Sequence, residues 1–252
     1  MRRLLTIPIS HYCEKARWAL ERAGMAYQEV PHIQGLHYPW AWAWGRSPLV
    51  PILRDGKTTV CDSTAILKYV DSVHDGAALY PASSGTEIDE WESLFDDVLG
   101  VETRRFMYFH ALQQPKLMLE YIGWGVSATE RRMAQFMFPM MSSFGKRRLA
   151  VTQANVESGE ARVREILDRV ELAMADHRPY LCGDQFTAAD LSFACMLSPL
   201  LLPEQYGIPL PHPDTAPAGM QPLVYETRAR PSGRFALRLF QDERPLPGRL
   251  QV

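Results

Sequence analysis

With 252 residues, 46% of them hydrophobic and 22% charged, the chain has material for one large domain or two modest ones with substantial cores. A formal charge of -2 at pH 7 gives no electrostatic ground for nucleic-acid binding; the pairs Arg2/Arg3, Arg104/Arg105, Arg131/Arg132 and Arg147/Arg148 are interleaved with carboxylates, as on solvated helix faces. Every apolar run falls short of the roughly 20 residues that span a bilayer, and the opening MRRLLTIPISHYC is broken by Pro8, Ser10 and His11, so neither a membrane span nor a signal peptide is expected.

The four cysteines, Cys13, Cys61, Cys182 and Cys195, are scattered, unlike a disulfide framework or a zinc knuckle, which points to a reducing cytoplasm. The histidines show no metal-ligand spacing, so no metal site is expected.

In chain order the first third reads as strand LLTIPI, helix CEKARWALERAG, strand YQEVPH, a hairpin in VPILRDGKTTVCD and helix STAILKYVDSV. In the first helix Cys13, Ala16, Leu20 and Ala23 recur at spacings of three and four, and Gly24 supplies a stop. Between His74 and Ile88 small, polar and proline residues gather, marking a domain junction. Beyond it the pattern is helical: Trp91, Leu94, Phe95, Val98 and Val101 share one face, and Val163, Ile166, Leu167, Val170 and Met174 another. Thr187 and Asp190 in FTAADL form a capping box. Prolines crowd the stretch from Pro203 to Pro222, after which only RFALRLFQDER reads as helix.

Two clusters invite more than one reading. Trp40, Trp42 and Trp44 at a spacing of two would share a face on an extended segment, as a wall beside a site, a dimer contact or a cover over the small core. Met133, Met137, Met140 and Met141 with Phe136 and Phe138 suit either a core or an adaptable apolar pocket.

The chemistry gathers at three junctions. Ser10 and Cys13 bracket a strand-to-helix transition, where unpaired N–H groups and the helix dipole favour a thiolate or other anion; Ser10 there either caps the helix or holds a sulfur anion. Pro51 follows Val50 at the start of a strand, where a cis peptide would turn the Val50 backbone outward toward an extended peptide ligand. Asp62 and Ser63 open the next helix and offer a carboxylate and a hydroxyl. His11 beside Ser10 is not a nucleophile–base pair, since adjacent residues rarely meet in that way and no Gly-x-Ser-x-Gly turn is present.

In this order the pieces S-x-x-C-x-K-x-R-x-A-L, LVPIL and DSTAI, with LYP near the junction and the TAAD box, resemble the glutathione transferase family over nearly the whole chain. The resemblance implies a thioredoxin-like α/β N-terminal domain over residues 1–76. An all-α helical-bundle domain over residues 87–252, with a proline-rich C-terminal tail, would follow and take the acceptor. It implies Ser10 as the residue that holds and activates the glutathione sulfur, and Val50, ahead of Pro51, bonding the cysteinyl backbone. Asp62 and Ser63 would hold the γ-glutamyl end, and His37 or Arg46 the glycyl carboxylate. Cys13 then matches the second cysteine of a thioredoxin-like pair whose first position is Ser10. Glutathione is implied as co-substrate, a small hydrophobic electrophile as acceptor, and a cytoplasmic homodimer with a detoxifying role as the setting. Two rivals share the fold: a glutathione-dependent thiol-disulfide or peroxide reductase, and a non-catalytic ligand-binding or interaction protein.

Overall fold

The computed structural model describes residues 1–74 and 78–245. The expected domain junction falls partly on residues 75–77, and the end of the expected tail on residues 246–252, both outside the described residues.

Period-two patterning builds the N-terminal sheet. Strands β1 (Arg2–Thr6), β2 (Tyr27–Pro31), β3 (Ile52–Asp55) and β4 (Thr58–Cys61) lie in the order β2-β1-β3-β4. β1 and β2 are parallel, as the helical crossover between them requires, and the other pairs are antiparallel. Adjacent residues point to opposite faces: Leu4 and Leu53 join the large core, while Leu5 and Ile52 form a small separate one with Ala41. Gly56, at a φ of 59°, closes the β3–β4 hairpin expected at RDGK.

Helix α1 (His11–Arg22) packs against α3 (Ser63–Val73) on the large-core face of the sheet, and α2 (Tyr38–Gly45) covers the other face. The tryptophan stretch is therefore helical rather than extended. At about 100° per residue Trp40, Trp42 and Trp44 fan around the helix instead of sharing a face; Trp40 and Trp42 are exposed, and Trp44 is half-buried beneath the guanidinium groups of Arg3 and Arg54. A proline in the first turn suits helix entry, which the bare spacing of two does not reveal.

The rest is helical. α4 (Glu87–Leu94) runs through one π-helical turn, Phe95–Leu99, into α5 (Gly100–Ala111), followed by α6 (Pro115–Ile122), α7 (Ala128–Arg148) and α8 (Gln153–Ala173). α9 (Ala188–Leu201), buried along its whole length, packs against α1, α4 and α5, and the Thr187–Asp190 capping box opens it. α10 (Gln221–Ala229) and α11 (Pro231–Asp242) complete the bundle. α10 lies partly in the proline-dense stretch expected to be irregular; Pro222 stands in its first turn, where proline costs no hydrogen bond.

Helix α1 sits at the seam. Apart from the half-buried Tyr12, its residues from His11 to Glu21 are buried, charged ones included, because the helical domain covers the side that an amphipathic reading leaves to water. Lys15 Nζ reaches Glu92 Oε1 at 3.1 Å and Asp96 Oδ2 at 2.7 Å on the far side. Arg17 pairs with Glu14 and Glu29, and Arg244, just after α11, with Glu14 and Glu21.

Candidate active site

The cleft between the domains is a cavity of about 410 Å³. Small-molecule sites span roughly 300–1,000 Å³. Its floor is the turn after β1, with Ser10, His11 and Tyr12, beside Val50 and the loop from Gln34 to Tyr38. Its roof is α5, α6 and α7, which present Arg104, Tyr108, Met118, Phe138 and Met141. α7 is held down at its first turn, where Glu130 accepts from the Ile33 N–H at 2.7 Å and meets His32 Nδ1 at 2.9 Å.

Ser10 is the N-cap of α1. Its N–H donates to the Ile7 carbonyl at 3.1 Å, and its Oγ accepts from the Cys13 N–H at 3.4 Å. That cap bond is longer than the usual 2.7–3.2 Å. The Ser10 side chain also acts as a hydrogen-bond donor to the Cys13 sulfur, so an anion above the helix N-terminus would have to draw that proton away from the buried thiol. Three residues on, Cys13 is wholly buried, with Sγ accepting from the Ile7 N–H at 3.4 Å. Burial pushes its thiol up, against the weaker pull of Arg17 and the Ile7 N–H, so the sulfur stays protonated.

The other polar groups of the floor are held neutral. Burial, with the nearby Arg104 charge, brings His11 down to about 3. Burial pushes Tyr12 up to about 12, and its hydroxyl donates to the Asp96 carbonyl at 2.6 Å, a carbonyl supplied by the π-helical turn. Tyr108, also raised by burial to about 12, donates to Gln34 Oε1. Neither phenol is a base near neutral pH.

Of the residues singled out in the sequence, Ser10, His37 and Val50 line this one cavity. Val50-Pro51 is cis. Pro51, Asp62 and Ser63 are not on its wall; the Asp62 N–H donates to the Pro51 carbonyl at 3.2 Å, tying the start of α3 to that peptide. Asp62 sits at φ 85° and ψ 143°, a conformation that L residues rarely adopt; its carboxylate is exposed and caps α3 by accepting from the Ala65 N–H at 3.2 Å. Ser63 is buried.

His37 has both ring nitrogens engaged. Nδ1 accepts from the Gly35 N–H at 3.0 Å, which places the ring proton on Nε2, and Nε2 donates to the Pro48 carbonyl at 3.0 Å. Burial lowers its pKa, so the ring is a neutral brace for the loop between β2 and β3. Arg46 is exposed at the end of α2 and is not on the cavity wall. The methionine-rich stretch divides: Phe138 and Met141 line the cavity, while Met133, Phe136 and Met140 are exposed.

The sequence reading placed Arg104 on a solvated face with Arg105. Neither stays on such a face: Arg105, its side chain only 15% exposed, bonds Glu102 and the Leu149 carbonyl, while Arg104 turns into the cleft. The signal was present in the spacing: Arg104, Met107, Tyr108 and Ala111 form an i, i+3, i+4, i+7 stripe, so the arginine lies on the inward face of α5.

Comparisons with known proteins agree with this architecture. The family description "Glutathione S-transferase, N-terminal domain" matches residues 4–78, and "Glutathione S-transferase, C-terminal domain" matches residues 153–217. Among solved structures, a glutathione S-transferase from Rhodospirillum rubrum F11 superposes with a TM-score of 0.59 at 22% identity, over 96% of this chain and 99% of that one. A theta class glutathione S-transferase from Xanthomonas axonopodis pv. citri, with glutathione bound, gives 0.57 at 20% identity over 94% and 96%. FzlA from C. crescentus gives 0.58 at 18% identity over 96% and 98%. A comparison with curated proteins finds no match. The sheet, the cis peptide at Val50-Pro51 and the helical bundle define a glutathione transferase fold, and the chain belongs to the glutathione S-transferase family. No helix among the described residues is long and apolar enough to cross a membrane.

Proposed function

We propose that the protein is a glutathione transferase in which Ser10 and the N-terminus of α1 stabilise the thiolate of bound glutathione for attack on a small apolar electrophile. The observation that carries this reading is the place of Ser10, on the cavity floor and capping the N-terminus of α1. The reaction forms a bond from sulfur to an acceptor carbon. The thiol proton passes to solvent, and the displaced electron pair leaves with a leaving group or, in an addition, takes up a proton. Val50 is read as the backbone partner of the cysteinyl unit, with Pro51 fixing its direction, and Asp62 and Ser63 as the γ-glutamyl end of the site. His37 shapes the wall rather than pairing with a carboxylate. The same reading makes the protein a cytoplasmic homodimer with a detoxifying role; sedimentation analysis checks the oligomeric state.

The test is the thiol pKa of bound glutathione, followed by ultraviolet difference titration in wild type and Ser10→Ala. One hydrogen bond to a charged group is worth roughly 1.5–3 kcal/mol, so the substitution is expected to raise that pKa by about 1–2 units and to slow conjugation accordingly. An unchanged pKa with an unchanged rate removes Ser10 from the chemistry. A non-catalytic ligand-binding role is favoured by one feature, that neither His37 nor Arg46 turns a free cation to the cleft. Calorimetric titration with millimolar glutathione separates the two readings: no heat of binding favours the carrier.

A further inference from the structure

We propose that the acceptor molecule taken by this cleft is an anion: an apolar aromatic or unsaturated body carrying a carboxylate that docks on Arg104. The proposal rests on the transferase reading for the word acceptor, though the anion site it describes can be tested without glutathione.

The charge balance of the cavity is one-sided. Among the described residues its lining includes two guanidinium groups, Arg104 and Arg148, and no aspartate or glutamate. His11 is held neutral, and the neutral His37 is committed to Gly35 and Pro48. Arg148 is exposed at the rim, where water screens it, whereas Arg104 Nε is buried and has no hydrogen-bond partner. Among the described residues no carboxylate pairs with Arg104 and none of its nitrogens makes a hydrogen bond. Elsewhere in the same seam Arg17 and Arg244 each carry two carboxylate partners. A buried polar group left without a partner costs roughly 1–3 kcal/mol, so the unpartnered Nε of the half-buried Arg104 is a defect in the free protein that a bound anion repairs.

Arg104 is also held in place. Its guanidinium carbon lies 5.5 Å from the Tyr12 ring centroid, and Tyr12 is in turn fixed through its hydroxyl to Asp96. A planar fork offered from a fixed position suits a carboxylate, which can accept two parallel bonds. Met107, Leu112, Ile122, Phe138 and Met141 share the cavity wall with it and suit an apolar body. Arg104 belongs to the helical roof, whereas the peptide-binding roles fall on the sheet side at Val50 and Asp62. The guanidinium is therefore assigned to the second substrate and not to either carboxylate of glutathione.

The experiment compares two ligands of one shape, trans-cinnamate and cinnamamide, titrated calorimetrically into wild type, R104Q and R104K without glutathione. Wild type is expected to bind the carboxylate about 10-fold more tightly than the amide, the order expected of a charge-assisted pair. The ratio should fall to near one in R104Q and lie between the two in R104K, which keeps the charge but loses the fork. Because Arg104 has no partner to orphan, both variants should melt within a few degrees of wild type. Equal affinity of wild type for the two ligands, no measurable cinnamate binding at millimolar concentration, or a ratio that survives in R104Q overturns the proposal. Glutathione titration of wild type and R104Q adds the last arm. Unchanged affinity supports the assignment, and a fall that parallels cinnamate gives Arg104 to the tripeptide and overturns it. Wild type that ignores glutathione yet keeps the cinnamate ratio loses the transferase reading and retains the anion site.

Discussion

On the seam side of α1 the buried charges are matched, whereas in the cleft on its other side a half-buried guanidinium is not. Lys15 is enclosed by Glu92, Asp96 and Thr64, and Arg17 by Glu14, Glu29 and the Pro8 carbonyl. Arg104 lies by the Tyr12 ring, with neutral His11 and Tyr108 near it and no carboxylate partner among the described residues. Paired charges in a low-dielectric seam fix one helix between two domains, because each would be costly without its partner. The unpaired one adds nothing to that frame, so its reason lies in what enters the cleft. The K and R of the S-x-x-C-x-K-x-R pattern are thus part of the frame, and only its serine belongs to the chemistry.

The contrast breaks most sharply at Lys15. Lys15→Met leaves Glu92 and Asp96 buried without their cation, and loss of one partner of a buried pair costs about 3–5 kcal/mol. Urea unfolding should show that loss as a lower midpoint. Arg104→Met, by comparison, breaks no pair, and its stability change should stay under about 1 kcal/mol. Equal losses in the two variants would erase the distinction between frame and cleft.

A smaller effect is expected at Asp62, which has both a structural duty and a proposed binding one. Asp62→Asn keeps a side-chain oxygen for the Ala65 N–H and a residue type tolerant of positive φ, while removing the charge. Thermal stability should hold, and glutathione affinity should fall by roughly 1.5–3 kcal/mol, the worth of a hydrogen bond to a charged group. Calorimetry that shows unchanged affinity would leave Asp62 only its cap.

How far the sequence carried these assignments depends on the range of the interactions concerned. Local signals held: the RDGK hairpin, the Thr187–Asp190 capping box and the Ser10 N-cap each rest on residues within a few positions of one another. The Val50-Pro51 cis peptide and the convergence of Ser10 and Val50 on one cavity followed from motif order. The inward turn of Arg104, the commitment of His37 to Pro48, and the burial of Lys15 and Arg17 depend on elements from 11 to about 90 residues away in the chain. Charge in sequence reads as surface until the partner's position is known, and the tryptophan spacing of two in α2 looks extended until a helix places it.

The cleft's positive character should also register in the acid stability of the protein through His11. Burial and the Arg104 charge hold its folded pKa at about 3, while the unfolded side chain titrates near ~6.5. Between those values the unfolded chain binds the extra proton. The stabilising contribution is therefore fully present above about pH 6.5 and is lost as pH falls toward 3. Between pH 8 and pH 5 the loss from this one group is about 2 kcal/mol. His11→Gln should remove that part of the slope, measured as the difference between urea midpoints at the two pH values. A variant as acid-sensitive as wild type would mean that the imidazole protonates inside the fold.

The smallest effect is expected at Cys13, and it decides whether the serine or the cysteine of the opening motif carries the chemistry. Cys13 is fully buried, its Sγ accepts from the Ile7 N–H, and burial keeps it a thiol, so the helix N-terminus that favours an anion at Ser10 finds no exposed sulfur at Cys13. Cys61 provides an internal reference: it is half-buried at the end of β4. A small thiol reagent followed by peptide mass analysis should label Cys61 well before Cys13. Cys13→Ser keeps an acceptor for the Ile7 N–H and should cost about 1 kcal/mol for the buried hydroxyl, leaving conjugation rates near wild type. Rapid labelling of Cys13 that glutathione blocks, with loss of activity in Cys13→Ser, would move the chemistry from Ser10 to the sulfur and favour a reductase.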